Sequence, residues 1–284
     1  DKQTLFSEDG STFLMFQIQG RSWVVMGDPV GPEETWGPLL WRFRELCDRY
    51  NGWPALYQIS PECLPFALDM GLSVVKLGEE AEVDLQAFTL EGGRSSGLRQ
   101  TNRKAEREGA SFEVIPASGI RAIMPELKAV SDSWLSDKTA HEKGFSIGRF
   151  DPDYLEKFDC AIVRANGAIV AFANIWRAPA GGELSIDLMR YSQDAPRSVM
   201  EYLFIQLFLY GKAEGYQRFS LGMAPLAGIE AHRLGPTWNR LSAMIFEHGG
   251  RYYNFEGLRA YKEKFHPRWE PRYLADRKST RLNS

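Results

Sequence analysis

One order of elements, hairpin then helix then strand, occurs twice along this chain, and that repeat restricts the possible folds more than any other feature. From Thr12, "TFLMFQIQGRSWVVMGDPVG" reads as two short strands joined around Gly20. In "WGPLLWRFRELCDRY", Leu39, Leu40, Phe43, Leu46, Cys47 and Tyr50 fall at helical spacing with Arg42, Arg44, Glu45 and Asp48 opposite. This predicts an amphipathic helix ending near Asn51 and Gly52. "PALYQIS" then returns as a strand. In the second half, "FDCAIVRANGAIVAFANIW" is a hairpin around Asn166 and Gly167, "PRSVMEYLFIQLFLYGKAEG" a helix, and "YQRFSLGMA" a strand. The match predicts an internal duplication. One difference is expected: "GELSIDLMRY" reads as a strand inserted between hairpin and helix, without an equivalent in the first half.

A chain of 284 residues with 44% hydrophobic and 25% charged content can bury a substantial core as one large domain or two ordinary ones. The net charge of -3 gives no overall field for a polyanion, so any nucleic-acid or membrane contact must come from a local patch. "YLFIQLFLYG" is far shorter than the roughly 20 residues that span a bilayer. The start has no basic segment followed by an apolar one, so no signal peptide is expected. Cys47, Cys63 and Cys160 lie unpaired in apolar contexts, as buried reduced thiols of a cytosolic protein would.

Between the halves, "GGRSSGLRQTNRKAEREGASFEVI" breaks on glycine and serine and then takes up a helical pattern from Ser95 or Ser96. Arg99, Arg103 and Arg107 share one face at spacings of four, with Lys104 alongside. The stripe is either a solvated helix face or a surface that tracks phosphates. The closing "DRKSTRLNS" has no apolar periodicity and reads as a disordered or non-native tail.

The chemistry admitted by the residues is narrow. His141, His232, His248 and His266 form no metal-binding pair and the cysteines no CxxC, so no metal is expected. No cysteine has an obvious partner histidine for nucleophilic catalysis. Hairpin, strand, helix, strand is the order of Gcn5-related acyltransferases, yet "YSQDAPRSVMEYL", where their coenzyme A loop would lie, holds no glycine. That counts against coenzyme A and leaves another acyl carrier open. Asp187 and Arg190 lie on the inserted strand. Strict alternation puts Asp187 with Met189 on one face and Leu188 with Arg190 on the other, unless a bulge re-aims one of them. Glu247, Glu256, Arg259 and Lys262 follow near the end, the last three on one side of a helix from Glu256 to Phe265. The prolines of "FHPRWEPRYL" end that helix. Its aromatics are expected to close the second half's core, leaving Arg268 and Arg272 free for phosphate.

"HEKGFSIGRFDPDYL", "ELSIDLMRY", "LGMAPLAG" and "GGRYYNFEGLRAYKEKFHPRWEPRYLA", in that order, resemble the C-terminal cytosolic domain of the bacterial multiple peptide resistance factor family, the aminoacyl-phosphatidylglycerol synthases. The likeness covers nearly the whole chain. It implies an α+β fold, a tandem pair of Gcn5-related acyltransferase-like folds joined by a basic helix. Residues 1–93 would form the first domain, 94–115 the linker helix, 116–275 the second domain carrying the active site, and 276–284 the tail.

The resemblance also implies transfer of lysine or alanine from aminoacyl-tRNA to a glycerol hydroxyl of phosphatidylglycerol, without a cofactor, at the cytoplasmic face of the inner membrane. In the complete proteins an N-terminal multi-span flippase region, missing here, would precede this domain. Lys262 would stabilise the carbonyl oxygen in the transition state. Asp187 or Glu256 would take the lipid hydroxyl's proton, and the other would hold the substrate's ammonium. Arg190, with Glu247 and Arg259, would bind substrate, and Arg99, Arg103, Lys104 and Arg107 would contact the tRNA. Two other readings stay open: a peptidoglycan-bridge aminoacyltransferase, and a non-catalytic module binding tRNA or anionic lipid.

Overall fold

The computed structural model describes residues 2–136, 149–178, 181–228 and 255–277, with side chains at the last segment from residue 257 onward. His141, His232, Glu247, His248 and the whole stretch from 229 to 254 therefore lie outside the described residues, as do 278–284 of the expected tail and the side chain of Glu256. The chain divides into two compact units, Asp1–Glu80 with Met223–Arg259 and Trp269–Ser284, and Ala81–Gly222 with Ala260–Arg268.

The first unit opens with β1 (Gln3–Phe6), β2 (Phe13–Gln19) and β3 (Ser22–Met26), all antiparallel neighbours. Helix α1 (Trp36–Arg49) follows, buried through Leu39, Leu40, Phe43 and Cys47, four of the positions its periodicity marks. It stops at Asn51, whose φ of 52° breaks the helix before Gly52. Strand β4 (Trp53–Ile59) then lies parallel to β3. After α2 (Leu64–Asp69), strand β5 (Leu72–Asp84) leaves this unit at Glu80. The core here packs Leu14, Phe16, Trp23, Val25 and Leu56 against α1. Burial pushes the thiol of Cys47 up to about 12, so it is a packing residue and not a nucleophile.

In the second unit α3 (Ser96–Arg107), β6 (Ala110–Ile115), α4 (Ala117–Ser136) and α5 (Pro152–Leu155) precede β7 (Cys160–Ala165), β8 (Ala168–Arg177) and β9 (Glu183–Tyr191). These are followed by α6 (Val199–Ala213) and β10 (Arg218–Pro225), with strand order β10-β9-β8-β7-β6. Helix α6 is apolar nearly all round, and it is buried accordingly, through Tyr202, Leu203, Phe204, Ile205, Leu207 and Phe208. A second cluster, including Ile120, Leu127, Leu155, Phe172 and Leu188, packs on α4 and α5.

Helix α7 (Phe255–Glu263) and strand β11 (Arg268–Arg277) complete the described chain. β11 pairs antiparallel with β4, Leu274 opposite Tyr57 and Ala275 opposite Leu56. The first unit's order is thus β1-β2-β3-β4-β11-β5. The aromatics of "FHPRWEPRYL" accordingly divide: Phe265 fills the second unit's core, whereas Tyr273 packs on the first unit's. Arg268 and Arg272 are not free for phosphate. They pair with Glu82 at 3.1 Å and Glu80 at 2.6 Å, carboxylates two residues apart on β5.

β9 is not an insertion. β1-β2-β3-α1-β4 and β7-β8-β9-α6-β10 are the same sequence of three antiparallel strands, a helix and a strand parallel to the third. The expected correspondence is therefore displaced by one strand, and the hairpin around Gly20 answers to β8 and β9. The four residues of β1 are too few to carry a periodic signal. Both units have the Gcn5-related order, and the fold is the α+β tandem pair.

Candidate active site

The two units differ at the strand pair that follows this order. β3 and β4 pair at five positions from Ser22–Trp53 to Met26–Tyr57. Their ends are then tied by Gly27 N donating to Tyr57 O at 2.8 Å and Ser60 N donating to Asp28 Oδ1 at 2.9 Å. β9 and β10 pair only at Glu183–Arg218, Leu184–Phe219 and Ser185–Ser220. Beyond those residues the described backbones separate, and their N–H and C=O groups turn to other partners. Asp187 and Arg190 sit on one departing strand, and Gly222 on the other.

Asp187 does not follow alternation. Ala173 pairs with Met189 and Ile175 with Ile186, so the single residue Asn174 faces both Asp187 and Leu188. This is a β-bulge, which turns both side chains to one face. Asp187 consequently points toward α5, where Tyr154 donates its hydroxyl to Oδ2 at 2.6 Å. Leu188 packs with Leu155 of the same helix, and Arg190 follows on that side. Asn174, fully buried, accepts from Leu188 N at 2.7 Å and Asp187 N at 3.2 Å through Oδ1. Its Nδ2 makes no hydrogen bond of regular geometry among the described residues.

Tyr154 is placed by local chemistry. Asp151 caps α5 by accepting from Tyr154 N at 3.2 Å, and Pro152 supplies the first helical φ. Its ring lies 4.9 Å from Phe158, which stacks on Trp176. Burial, and then the Asp187 carboxylate, push the phenol well above its ordinary value, against smaller opposing effects of hydrogen-bond donation from the side chains of Trp176 and Asn174. Tyr154 is therefore a neutral donor at any physiological pH. It lies in "FDPDYL", where Asp-Pro marks a helix start, but nothing in that stretch names Asp187 as its partner.

Arg190 is 5% exposed, with its guanidinium 3.9 Å over the ring of Trp134 at the end of α4. Lys262, 6% exposed, donates to the carbonyl of Gly222 at 2.8 Å. Gly222 has φ +76°, a conformation that turns this carbonyl out of a regular strand and that other residues rarely adopt. Lys262 is held there by its helix neighbours: Tyr261 and Phe265 pack on Phe204, with Phe265 edge-on to Phe208 at 5.3 Å. The second unit thus brings Asp187 and Arg190 onto one strand face and Lys262 to the other departing strand.

Arg259, in the first unit, pairs with Glu79 at 2.5 Å and lies 4.3 Å over Trp269. Burial alone would raise Glu79, but hydrogen bonds from Lys76 and Arg259 outweigh it and hold the carboxyl below its ordinary value. On α3, Leu98, Asn102 and Ala105 are buried. Arg99 donates to the carbonyls of Leu90 and Gly92 at 2.6 and 3.0 Å, so it also fixes the preceding loop. Arg103, Lys104 and Arg107 are exposed. An open depression of about 620 Å³ is lined by Ser96, Arg99, Gln100, Arg103, Glu106 and Arg107. Among the described residues no group of three His, Cys, Asp or Glu could hold a metal, and no helix is long and apolar enough to cross a membrane.

Residues 1–276 match the family model for the C-terminal region of phosphatidylglycerol lysyltransferase. A phosphatidylglycerol lysyltransferase from Bacillus subtilis (strain 168) is 44% identical over 284 residues, which are 100% of this chain and 33% of that protein. The chain spans about a third of the length of the curated relatives it matches. Among solved structures, L-PGS from Bacillus licheniformis is 40% identical with a TM-score of 0.85, covering 99% of this chain and 86% of that one. The C-terminal domain of a putative lysylphosphatidylglycerol synthetase from Agrobacterium fabrum is 46% identical with a TM-score of 0.88, covering 98% and 85%. With a match that runs through both units and includes the strands carrying Asp187, Arg190 and Gly222, the chain belongs to the phosphatidylglycerol lysyltransferase C-terminal family.

Proposed function

We propose that this domain transfers a lysyl group from lysyl-tRNA to a glycerol hydroxyl of phosphatidylglycerol at a membrane surface. The observation that carries the reading is the opening between β9 and β10, with Asp187 and Arg190 on one strand and Lys262 bound to the other. Membership of a family named for phosphatidylglycerol lysyltransferase supplies acceptor and amino acid.

The reaction exchanges one ester for another, so it needs positioning more than driving force. The glycerol hydroxyl attacks the aminoacyl carbonyl, a C–O bond forms, the bond to the ribose oxygen breaks, and one proton passes from the attacking to the leaving oxygen. Negative charge grows on the carbonyl oxygen between these events, and Lys262 is the cation assigned to it. Asp187 is assigned to the substrate ammonium: a carboxylate already accepting the Tyr154 phenol is a fixed electrostatic partner for a cation. Arg190, stacked on Trp134, is assigned to a phosphate of lipid or tRNA. The exposed cations of α3 are assigned to the tRNA backbone.

The test is incubation of the protein with phosphatidylglycerol vesicles and, separately, radiolabelled lysyl- and alanyl-tRNA. Labelled lipid from the lysyl donor is expected. Label from the alanyl donor alone would reassign the amino acid, and no label from either would sink the reading.

A further inference from the structure

We propose that Asn174 is the positioning residue for Asp187: its side-chain carbonyl holds open the two-residue bulge that aims the Asp187 carboxylate at Tyr154. The flanking pairs Ala173–Met189 and Ile175–Ile186 leave one residue of β8 opposite two of β9. Two backbone N–H groups then need an acceptor where no ladder carbonyl is provided, in a place closed to water, since Asn174 is 0% exposed. Asn174 Oδ1 takes both, at 2.7 and 3.2 Å. Without that acceptor, the favoured arrangement is the regular ladder, in which Asp187 would turn to the opposite face and lose Tyr154.

The Nδ2 makes no hydrogen bond of regular geometry among the described residues, and its donor effect falls on the Tyr154 phenol. If this position served packing alone, an apolar side chain would fill it. An amide there answers a demand for its oxygen. The orientation of the amide follows from the same fact, because two N–H groups require an acceptor and not an NH2. Asn174 touches no reacting group in this scheme. It acts through Asp187.

The catalytic part of this inference rests on the aminoacyl-transfer reading, and the structural part does not, so the experiment has two arms. N174L keeps the branched shape, with somewhat more bulk, and removes the acceptor, while N174D keeps the acceptor. In the first arm, amide hydrogen exchange is followed by NMR on the full chain. N174L should speed exchange at Asp187 and Leu188 by tenfold or more, roughly the loss of one modest hydrogen bond each, while Ile175 and Ile186 keep their protection. N174D should keep all four protected. In the second arm, lysyl transfer to phosphatidylglycerol vesicles is measured for N174L, D187N and the double variant. N174L should lower kcat about as far as D187N, by roughly 100-fold, and the double variant should be no worse than D187N alone, because residues acting as one unit are not additive.

Unchanged exchange at Asp187 and Leu188 in folded N174L would overturn the clamp, and multiplicative losses in the double variant would overturn its action through Asp187. Should N174L fail to fold, N174D decides: lost protection of the two amides in a protein that retains the acceptor would refute the proposal. Absence of transfer by the wild type would defeat the functional reading and leave the exchange result standing.

Discussion

The Nζ of Lys262 lies 2.8 Å from the carbonyl oxygen of Gly222, so this buried cation donates to a backbone dipole on the strand that parts from β9. That backbone dipole helps fix the ammonium beside the departing strand, where a passing oxyanion would meet it.

Replacing Lys262 with methionine keeps the stem and removes the charge. The expected result is a fall in kcat of about 10²–10³-fold, the usual effect of losing one oxyanion donor, with little change in KM. Steady-state kinetics with lysyl-tRNA and phosphatidylglycerol vesicles would measure it, and a wild-type kcat in K262M would remove Lys262 from the chemistry.

Tyr154→Phe deletes the 2.6 Å bond to Asp187 and should lower stability by about 1.5 kcal/mol, the low end for a bond to a charged group because the site is partly open. The phenol titrates at 10.0 when unfolded and higher when folded. A raised folded value stabilises fully below the unfolded one and is lost as pH climbs above it. The difference between wild type and Y154F in chemical denaturation should therefore be flat from neutral pH to about 9 and shrink only beyond 10. A difference that vanishes already at pH 8 would contradict the assignment.

The α3 stripe makes a separable prediction. Arg103→Glu with Arg107→Glu changes two exposed side chains and should leave the melting temperature unchanged, whereas Arg99→Glu should also destabilise the loop it holds through Leu90 and Gly92. In filter binding of aminoacyl-tRNA, the double variant should reduce the slope of log K against log salt by about 1.4–1.8, because each phosphate neutralised contributes about 0.7–0.9. An unaltered slope would take α3 out of the RNA interface.

Two glycines test packing independently of function. A methyl at Gly78 would overlap the backbone carbonyl oxygen of Ala224, which cannot retreat alone. At Gly211 it would come within 2.8 Å of the terminal methyls of Leu184 and Leu85, which can rotate. G78A should cost about 3 kcal/mol or more and G211A about 1 kcal/mol, measured by urea denaturation. Equal losses would show that the Gly78 strand yields more readily than its geometry implies.

Much of the fold is legible from local rules. Helices α1, α3 and α6, the hairpin turns and β10 follow from periodicity and turn residues, because those signals act over a few neighbours. What escapes depends on partners distant in sequence. The bulge at Asp187 is set by Asn174 on the opposite strand, and "SIDLMRY" alone contains no sign of it. Arg268 and Arg272 read as free cations because their carboxylates, Glu82 and Glu80, lie far back in the chain, at sequence separations of 186 and 192. Asp187, Arg190 and Lys262 could be singled out by residue type and motif, but Tyr154 and Trp134 could not, since each acquires its role only by meeting a residue of β9.

The pairing of β11 with β4 also fixes an order in time. Synthesis runs from the amino terminus, so β4 leaves the ribosome about 200 residues before the strand that covers its edge. The unit begun first is finished last. Until Tyr273 to Asp276 emerge, the nascent chain presents an unpaired strand edge, which is the feature that chaperones shield and that aggregation exploits. A product ending before residue 268 would carry that edge permanently, so loss of β11 leaves exposed the edge of a strand that lies more than 200 residues earlier.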